Sequence, residues 1–598
     1  MLLDAKRLDR LISMSKYGNL RINLFLAVVI LLSGLVLYRL FVLSIVKHSA
    51  YTRTAQAQNE NINNILARGN IYLSERNSEP FPAAVNKKFP LAYIVPSDIK
   101  QEKKDEVVNF LTGTFKIEPD QVREKINSNV DSLKVIARRL TNEQVEAVKR
   151  VDFEGVGISY EMDRFYPGNH MAANLIGFLG YDLEGQRAGQ YGVEGYYDSD
   201  LSGREQSVAG LFDMVDPSFI LKLIKGNFVK NSKDDASNNE VSSSFDRPAD
   251  IILTIDRNIQ LFVEDKLKNI IEKWEAEGGT VIVQEPETGK ILAMADWPTF
   301  DPNSYSSTDP KKFLNKNIQS VYEPGSSFKP VTMSAGIDLS KITPQTSYDD
   351  VGFVNVAGYT IHNFSEKVFG RQTMTQVLEK SINTGTMFVE NIIGDDNFLS
   401  YIINMGFGQK TGIDLPGEVS GDINNLYSGR KINYLTSSFG QGIAVTPLQL
   451  INAYSVIANG GKLMRPYVTD KITKEIGKEI VFQPEVVGIP ISEKTAVKLQ
   501  SMLVGVVDNG FDKARISGYD VAGKTGTAQM PDGRGGYSED EFIHNFVGFA
   551  PAYNAKFAVL IKMDKPRGIA FAADSLSPVF KDIAAFLLNY YNVPPTRK

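Results

Sequence analysis

The pattern of hydrophobic positions begins with a long apolar run. Residues 22–46 read "INLFLAVVILLSGLVLYRLFVLSIV" and follow five basic residues between Lys6 and Arg21. About 20 apolar residues cross the hydrocarbon core of a bilayer, and this run reaches that length if Arg39 extends its guanidinium to the far interface. Because the run is longer than a signal-peptide core, it predicts an uncleaved transmembrane anchor, with residues 1–21 as a cytoplasmic tail.

Between the apolar run and residue 250 the pattern is irregular. Residues 47–229 mix short strand-like runs such as "FPLAYIVP" with helical stretches such as "KKDEVVNFLTGTF", and we expect an elongated mixed α/β domain there. Residues 230–250, "KNSKDDASNNEVSSSFDRPAD", are rich in Ser, Asn and Asp and nearly devoid of apolar side chains. Such a segment buries too little surface to order itself, so it predicts a linker or loop at a domain boundary.

Regular periodicity begins at residue 251. "RNIQLFVEDKLKNIIEKWEAEG" places apolar residues at helical spacing, and "GTVIVQEPETGKILAMADWP" predicts two strands around a turn at Pro286–Gly289. "DVAGKTGTAQ", "NFVGFAP" and "KFAVLIKMD" predict three more strands, and "SLSPVFKDIAAFLLNYY" predicts a final helix. Two early strands, three late strands and a long, mostly helical insert predict an α/β (α+β) domain over residues 251–598. We expect a five-stranded antiparallel sheet flanked by helices.

The composition narrows the possible chemistry. The chain has 598 residues, of which 43% are hydrophobic and 23% charged, which is typical of a folded protein with two or more domains. Its net charge of -5 gives no electrostatic basis for nucleic-acid binding, and we expect no nucleic-acid partner. There is no cysteine, and the four histidines are scattered singly. We therefore expect no disulfide, no metal site and no cofactor.

The stretch "EPGSSFKP", Glu323–Pro330, contains the pattern S-x-x-K. In the first turn of a helix, positions i and i+3 share one face, which pairs Ser326 with Lys329 and turns Ser327 away. A lysine is a base at neutral pH only when burial or a neighbouring cation lowers its pKa from about 10.4. The pattern is weak alone, because four more copies start at Ser13, Ser44, Ser97 and Ser428.

Two later patterns supply the missing context. "EKSINTGT" contains Ser381-Ile382-Asn383, an S-x-N, on a predicted loop after a helix. "VAGKTGTAQ" contains Lys524-Thr525-Gly526-Thr527 on a predicted strand, where glycines let a ligand backbone approach and an edge can pair with an extended peptide. A second K-T-G at Lys410 lies among Gly and Pro residues typical of a loop, and we reject it. The ordered trio S-x-x-K, S-x-N and K-T-G is far more specific than its parts.

With this trio the chain resembles a class B penicillin-binding protein, one of the single-pass transpeptidases that cross-link peptidoglycan. Family-like blocks occur in the family's order: "LTIDRNIQ", "ETGKILAMADWPTFDPN", "LPGE", "GQGIAVTPLQL" and "FVGFAP". "ARGNIYLSERN" and "YGVEGYYDSDLSG" are similar to its non-catalytic pedestal. The resemblance implies a penicillin-binding transpeptidase fold for residues 251–598 and a dimerisation-type pedestal for residues 47–229.

The septal, cell-division type is the closest resemblance within the family. It is carried by "FVGFAPAYNAKFAVLIKMDKP", "SPVFKDIAAFLLNYY" and "RFYPGNHMAANLIGFLG". The elongation type is the alternative. The chain departs from the family pattern at Ile382 and at His544-Asn545, where small residues are frequent. These departures are expected to affect the acceptor side of the cleft or the affinity for β-lactams.

The resemblance also implies roles for the first two motifs. Ser326 is expected to attack the penultimate D-Ala of a donor stem peptide, and Lys329 is expected to take the hydroxyl proton. Ser381 is expected to pass a proton to the leaving amine, and Asn383 to hydrogen-bond the donor amide.

The resemblance also implies that the K-T-G strand binds the substrate. Lys524 is expected to attract the terminal carboxylate and to lower the pKa of the catalytic lysine. Thr525 is expected to bind the same carboxylate through its hydroxyl, and Gly526 and Thr527 are expected to contact the substrate. The backbone N–H groups of Ser326 and Thr527 are expected to form the oxyanion hole.

The resemblance finally implies partners and a location. The expected ligands are stem peptides that end in D-Ala–D-Ala and β-lactams that acylate Ser326. The expected location is the cytoplasmic (inner) membrane, with the catalytic domain outside and a polytopic glycan polymerase and division proteins as partners. A membrane-anchored β-lactamase is an alternative that would share the trio. It is less favoured, because the hydrolysis of β-lactams requires neither a membrane anchor nor a pedestal. A β-lactam-binding scaffold is less favoured, because every catalytic group is present.

Overall fold

The computed structural model describes residue 33 and residues 68–597, apart from 129–133, 152, 204–247, 476–477, 511 and 532–535. The predicted cytoplasmic tail, the predicted transmembrane anchor apart from residue 33, and most of the predicted linker lie outside the described residues. In the part of the chain that is described, no helix is long and apolar enough to cross a membrane.

Strands and helices alternate along the described chain. The strands are β1 (Ile71–Ser74), β2 (Phe81–Ile94), β3 (Lys134–Ala137), β4 (Val156–Phe165), β5 (Phe178–Tyr181), β6 (Arg187–Gln190), β7 (Asp250–Asp256), β8 (Gly278–Gln284), β9 (Ile291–Trp297), β10 (Ser347–Asp350), β11 (Phe353–Val356), β12 (Tyr359–His362), β13 (Gly370–Thr373), β14 (Leu463–Met464), β15 (Thr469–Glu475), β16 (Lys478–Val481), β17 (Val486–Gly488), β18 (Ala522–Pro531), β19 (Tyr537–Ala550) and β20 (Phe557–Asp564). The α-helices are α1 (Lys104–Phe115), α2 (Pro119–Ile126), α3 (Asn142–Val151), α4 (Ala173–Ile176), α5 (Gly192–Tyr196), α6 (Asp198–Ser202), α7 (Arg257–Lys273), α8 (Lys316–Gln319), α9 (Lys329–Asp338), α10 (Met374–Glu379), α11 (Asn383–Ile393), α12 (Asp395–Asn404), α13 (Lys431–Ser437), α14 (Pro447–Ala458), α15 (Glu493–Gly505), α16 (Ala572–Ser575) and α17 (Ser577–Tyr590).

A five-stranded antiparallel sheet forms the centre of the C-terminal part, as the sequence predicts. Its order is β18-β19-β20-β8-β9, so the two early strands and the three late strands are neighbours. Along β8, Ile282 packs in one hydrophobic cluster while Val281 and Val283 pack in another. Because successive strand residues point to opposite faces, both faces of this sheet are covered.

Helices α7 and α17 cover one face of this sheet. Asp256 caps α7 by accepting hydrogen bonds from the backbone N–H groups of Asn258 and Ile259. The apolar stripe of α7 packs with that of α17. The opposite face meets α14, whose residues are buried on every side, as is typical of a helix inside a core.

A second, mixed sheet joins β1–β4 of the N-terminal part to β7, β15 and β16, while β5 and β6 form a separate two-stranded sheet. The order of the mixed sheet is β16-β15-β7-β1-β2-β3, and β4 also pairs with β2. Strand β7 lies parallel to β1, with Ile71 opposite Ile251. The sheet therefore crosses the predicted domain boundary near residue 250, and residues 68–597 belong to one compact unit.

A buried charge network fixes the helices next to this sheet. The carboxylate of Glu194, fully buried, accepts from Arg68 Nε and from Arg164 Nε, each at 2.6 Å. Tyr166 donates its hydroxyl to the same carboxylate at 3.1 Å. Burial alone would raise the pKa of Glu194, but the two guanidinium groups more than offset it and lower the pKa below 4.5.

Candidate active site

The turn that carries Ser326 is a 3-10 helix, Gly325–Phe328, which continues into α9 at Lys329. The backbone N–H of Lys329 donates to the carbonyl of Ser326. A 3-10 helix has three residues per turn, so side chains at i and i+3 eclipse one another. The side chains of Ser326 and Lys329 therefore project from the same side of the turn, as the S-x-x-K spacing predicts.

The two adjacent serines have different environments. Ser327 is fully buried, and its hydroxyl donates to the carbonyl of Pro324 at 2.8 Å. Ser326 is half-buried, and its hydroxyl forms no hydrogen bond with any of the described residues. Only the Ser326 hydroxyl is therefore both accessible and able to rotate toward Lys329.

The side chain of Lys329 is fully buried among three oxygen acceptors. Its Nζ lies 2.5 Å from the carbonyl oxygen of Ser381, 3.3 Å from Ser381 Oγ and 2.8 Å from Asn383 Oδ1. Burial, and after it the nearby cation Lys524, lowers the pKa of Lys329 well below 10.5. Both effects favour a neutral amine at physiological pH.

Lys524 approaches the same serine from the sheet. It lies on β18, which is the edge strand of the five-stranded sheet, and its side chain is fully buried. Its Nζ lies 3.0 Å from Ser381 Oγ and 3.2 Å from the carbonyl oxygen of Thr525. Burial lowers the pKa of Lys524 to about 7. The Ser381 hydroxyl thus lies within hydrogen-bond distance of both lysine amines.

Ser381 occupies a strained position between α10 and α11. Its φ of 56° lies in the left-handed region, which residues other than glycine rarely adopt. This conformation directs both the carbonyl and the hydroxyl of Ser381 toward Lys329. The predicted loop is therefore a single sharp junction between two helices.

The other two residues of the S-x-N motif point in different directions. Asn383 begins α11, with Oδ1 on Lys329 and Nδ2 donating to the carbonyl of His362 at 3.3 Å. Ile382 is 1% exposed and belongs to the hydrophobic core. Any effect of Ile382 on the cleft or on β-lactam affinity must therefore act through core packing, and the expectation stays a prediction.

The K-T-G strand lies directly against the Ser326 turn. A Cβ added at Gly526 would lie 2.5 Å from the carbonyl oxygen of Pro324, and one added at Gly325 would lie 3.3 Å from that of Thr527. Gly526 is required by this close approach, and Gly325 is favoured by its φ of 57°, which lies in the left-handed region. The contact brings the segments that hold the Ser326 and Thr527 N–H groups together, as the predicted oxyanion hole needs.

The hydroxyls of the K-T-G strand differ in exposure. Thr525 is 6% exposed, whereas Thr527 is half-buried. The backbone N–H of Ala572, at the start of α16, donates to Thr527 Oγ1 at 3.2 Å. Because that oxygen accepts this bond, its own proton remains available to an anionic ligand.

The sequence marked His544-Asn545 as a departure but did not show what the two residues do. Both are fully buried on β19 opposite the K-T-G strand, with Gly526 paired to Asn545 and Thr527 to His544. Asn545 Nδ2 donates to the carbonyl of Pro324 at 3.0 Å. His544 Nδ1 lies 2.9 Å from the hydroxyl of Ser575 on α16. Asn545 therefore anchors the Ser326 turn, and His544 anchors the helix that binds Thr527.

The second K-T-G lies in a loop, as predicted. Lys410 is exposed, and Thr411 hydrogen-bonds the carboxylate of Glu418 through both its N–H and its hydroxyl. No group of three His, Asp or Glu residues within the described ranges is arranged to hold a metal ion. The hydrogen bonds of Lys329 and Lys524 join hydroxyl, amine and amide groups at the site.

Comparison of this chain with known proteins identifies the same class of protein that the fold and the site indicate. A family model of the penicillin-binding protein transpeptidase domain matches residues 279–585, and one of the penicillin-binding protein dimerisation domain matches residues 66–209. The chain belongs to this family and is a class B penicillin-binding protein. The predictions of the family and of a transpeptidase enzyme are confirmed.

Individual relatives cover most of the chain. Stage V sporulation protein D of Bacillus subtilis is 31% identical over 524 residues, which is 86% of this chain and 77% of that protein. Peptidoglycan D,D-transpeptidase FtsI of Escherichia coli is 28% identical over 489 residues, 81% of this chain and 77% of that protein. Penicillin-binding protein 3 of Mycobacterium tuberculosis, in its apo form, has a similar structure with a TM-score of 0.62 and 28% identity. That match covers 73% of this chain and 92% of that one.

Proposed function

We propose that this protein is a serine D,D-transpeptidase that cross-links peptidoglycan stem peptides through an acyl-enzyme on Ser326. The observation that carries the proposal is the buried amine of Lys329, which shares one side of the turn with an accessible serine hydroxyl. Burial and the Lys524 cation lower the pKa of Lys329 and so favour the neutral amine, which can accept the hydroxyl proton. The E. coli and Neisseria relatives are named peptidoglycan D,D-transpeptidases, which supports the same activity.

The first step is acylation. Lys329 takes the proton of Ser326, whose oxygen attacks the carbonyl of the penultimate D-Ala. The backbone N–H groups of Ser326 and Thr527 stabilise the negative oxygen that develops, and such donors contribute about 3–4 kcal/mol each in acyl-transfer enzymes. The peptide C–N bond then breaks. The terminal D-Ala leaves after its nitrogen receives a proton through Ser381, whose hydroxyl lies 3.3 Å from Lys329 Nζ.

Substrate binding depends on the charge of Lys524. Its pKa of about 7 leaves the amine partly neutral in the free protein. A bound carboxylate favours the charged form and raises this pKa, so the cation forms where the substrate's terminal carboxylate lies. Thr525 and Thr527 supply hydroxyl donors to the same carboxylate, and the Asn383 amide hydrogen-bonds the donor peptide.

The second step releases the product. A side-chain amine from a neighbouring stem peptide attacks the acyl-enzyme carbonyl, and a new amide bond forms as the ester bond to Ser326 breaks. The proton of the amine returns through Lys329 to the serine oxygen. A β-lactam imitates the donor, but its ring-opened acyl group remains attached and blocks the acceptor. The M. tuberculosis protein has been crystallised with aztreonam and with ampicillin, which supports this proposal.

Labelling with a fluorescent penicillin tests the proposal. Stable label on the parent protein, lost in Ser326→Ala and retained in Ser327→Ala, is the expected result. The Ser327 variant is a matched control, because it removes a hydroxyl that only holds the Pro324 carbonyl. Label that leaves within minutes would instead indicate a β-lactamase. A parent that takes no label would contradict the assembled site and favour a non-enzymatic scaffold that keeps the fold.

We also propose a septal role at the cytoplasmic membrane, with elongation as the alternative. The proposal is supported by the septal-type segments in the sequence and by the apolar run at residues 22–46. A polytopic glycan polymerase is proposed to bind this run and the pedestal. A fluorescent fusion should concentrate at division sites, and a fusion lacking residues 1–46 should lose membrane association. Uniform signal along the lateral wall would favour elongation.

A further inference from the structure

Three residues before Ser326, the carboxylate of Glu323 lies half-buried and without a cationic partner. Its Oε1 accepts from the backbone N–H of Gly442 at 3.0 Å, and its Oε2 accepts from the hydroxyl of Tyr537 at 3.0 Å. None of the Lys, Arg or His residues that the structure describes forms an ion pair with it. Carboxylates that are withdrawn from water are usually paired, so this one requires an explanation.

The position of Glu323 follows the course of the K-T-G strand. The turn runs alongside β18, with Gly325 next to Thr527 and Ala528. Two residues earlier, Glu323 meets Tyr537, which lies opposite Pro531 at the far end of the same strand. The segment that precedes Ser326 therefore extends from the middle of β18 toward its distal end.

A donor peptide bound along β18 would reach the same place. In the proposed function its terminal carboxylate lies at Lys524 and Thr525, and its reactive carbonyl lies beside Thr527. The donor residues that precede the two D-Ala units must then continue along β18 away from Lys524, toward Gln529. The residue before the two D-Ala units directly precedes the D-Ala that holds the reactive carbonyl. Strands rise about 3.4 Å per residue, so this residue lies one step of about 3.4 Å farther along β18, toward the distal half of that strand.

The side chain of that residue is the part of the donor that can meet Glu323. The acceptor in the proposed reaction is a side-chain amine of a neighbouring stem peptide, and donor and acceptor stems belong to the same polymer. Where that amine lies on the residue that precedes D-Ala–D-Ala, each donor presents it there as an ammonium group. A flexible side chain of four or five carbons spans about 6 Å, which reaches across the strand to the adjacent segment.

We propose that the Glu323 carboxylate binds the side-chain ammonium of the donor stem peptide and thereby selects donors that carry a free amine. This inference rests on the proposed function. The carboxylate has about four acceptor positions, and Gly442 and Tyr537 occupy about two of them, which leaves room for an ammonium donor. Tyr537 is 40% exposed, so the group is reachable from solvent. Burial raises the pKa of Glu323, as is typical of a carboxylate that lacks a cation.

The test compares two donors that differ only in charge. The peptides are N-acetyl-L-lysyl-D-Ala-D-Ala and its analogue with norleucine in place of lysine, and D-Ala release is measured with the full chain in detergent and a D-amino acid acceptor. We expect the parent to prefer the lysine donor by about tenfold, since a charge-assisted hydrogen bond contributes this much. In Glu323→Gln this preference should disappear, mainly through KM, while the norleucine donor reacts as before.

Asp540→Asn is the matched control. Asp540 is an exposed carboxylate on the same hairpin, so its loss changes the net charge equally but should leave the preference for lysine intact. Equal slowing of both donors in Glu323→Gln, or a parent without preference for lysine, would overturn the proposal. Failure of the proposed function is distinguishable, because it would appear as a parent that takes no stable penicillin label, whichever donor is used.

Discussion

Replacing Gly526 by alanine tests how closely the K-T-G strand must pack against the serine turn. The added Cβ would lie 2.5 Å from Asn545 Nδ2 and 2.5 Å from the carbonyl oxygen of Pro324. Cβ atoms essentially never approach other heavy atoms closer than 3.0 Å, so the strand and the turn must separate by about 0.5 Å or more (3.0 minus 2.5). Overpacking of this kind costs about 1–3 kcal/mol of folding free energy.

The larger effect should be on the reaction rate. The Thr527 N–H moves with the strand. A misplacement of 1 Å at such a donor lowers the rate on the order of 100-fold, so a displacement of about 0.5 Å should lower it on the order of 10-fold or more. The assay is the second-order rate constant of acylation by benzylpenicillin, measured together with the melting temperature.

Gly113→Ala supplies the control for this substitution. Gly113 lies within α1, and a Cβ there meets nothing within 4 Å. The control should keep the parent acylation rate and gain about 0.5–1 kcal/mol of stability, because alanine favours a helix over glycine. A Gly526→Ala protein that acylates within about threefold of the parent would refute the close packing and, with it, the role of Thr527.

Two further predictions concern charge. In Lys524→Gln, acylation should be slower and the acid limb of its rate–pH profile should move to higher pH. Burial still lowers the pKa of Lys329, but the second cause, the Lys524 cation, is gone, so this pKa rises. Acylation falls as the pH drops through that pKa. A rate–pH profile with an unmoved acid limb would contradict this. In Glu194→Gln, two buried guanidinium groups lose their counter-charge, and we expect a loss of about 3–5 kcal/mol in urea unfolding at pH 7. Because the folded pKa of Glu194 is lowered from 4.5, the parent's advantage should be complete above pH 4.5 and shrink as pH falls through the folded pKa. An equal difference at pH 7 and well below pH 4 would refute it.

Local patterns were sufficient to predict the centre of the fold. The strands β8 and β9 follow from alternating apolar residues around a turn, and α7 follows from a helical period after the capping residue Asp256. Each of these signals lies within about twenty consecutive residues. The pairing of early strands with late strands was also predictable, because an antiparallel sheet in one domain must bring them together.

Parts of the site could not be predicted, because they depend on contacts between distant residues. Asn545 binds the carbonyl of Pro324 across 221 positions of sequence, and Tyr537 binds Glu323 across 214. The positive φ of Ser381 is likewise set by its surroundings, since serine has no local preference for that conformation. The motifs predicted which residues meet, but not the groups that hold them in place.

Identifying the residue that β-lactams modify tests the central claim most directly. The purified protein would be incubated with benzylpenicillin, digested and examined by mass spectrometry. We expect one benzylpenicilloyl group to be attached to Ser326 and to remain there for hours. Modification of Ser327 or of another residue, or an intact protein mass that does not change, would contradict Ser326 as the nucleophile.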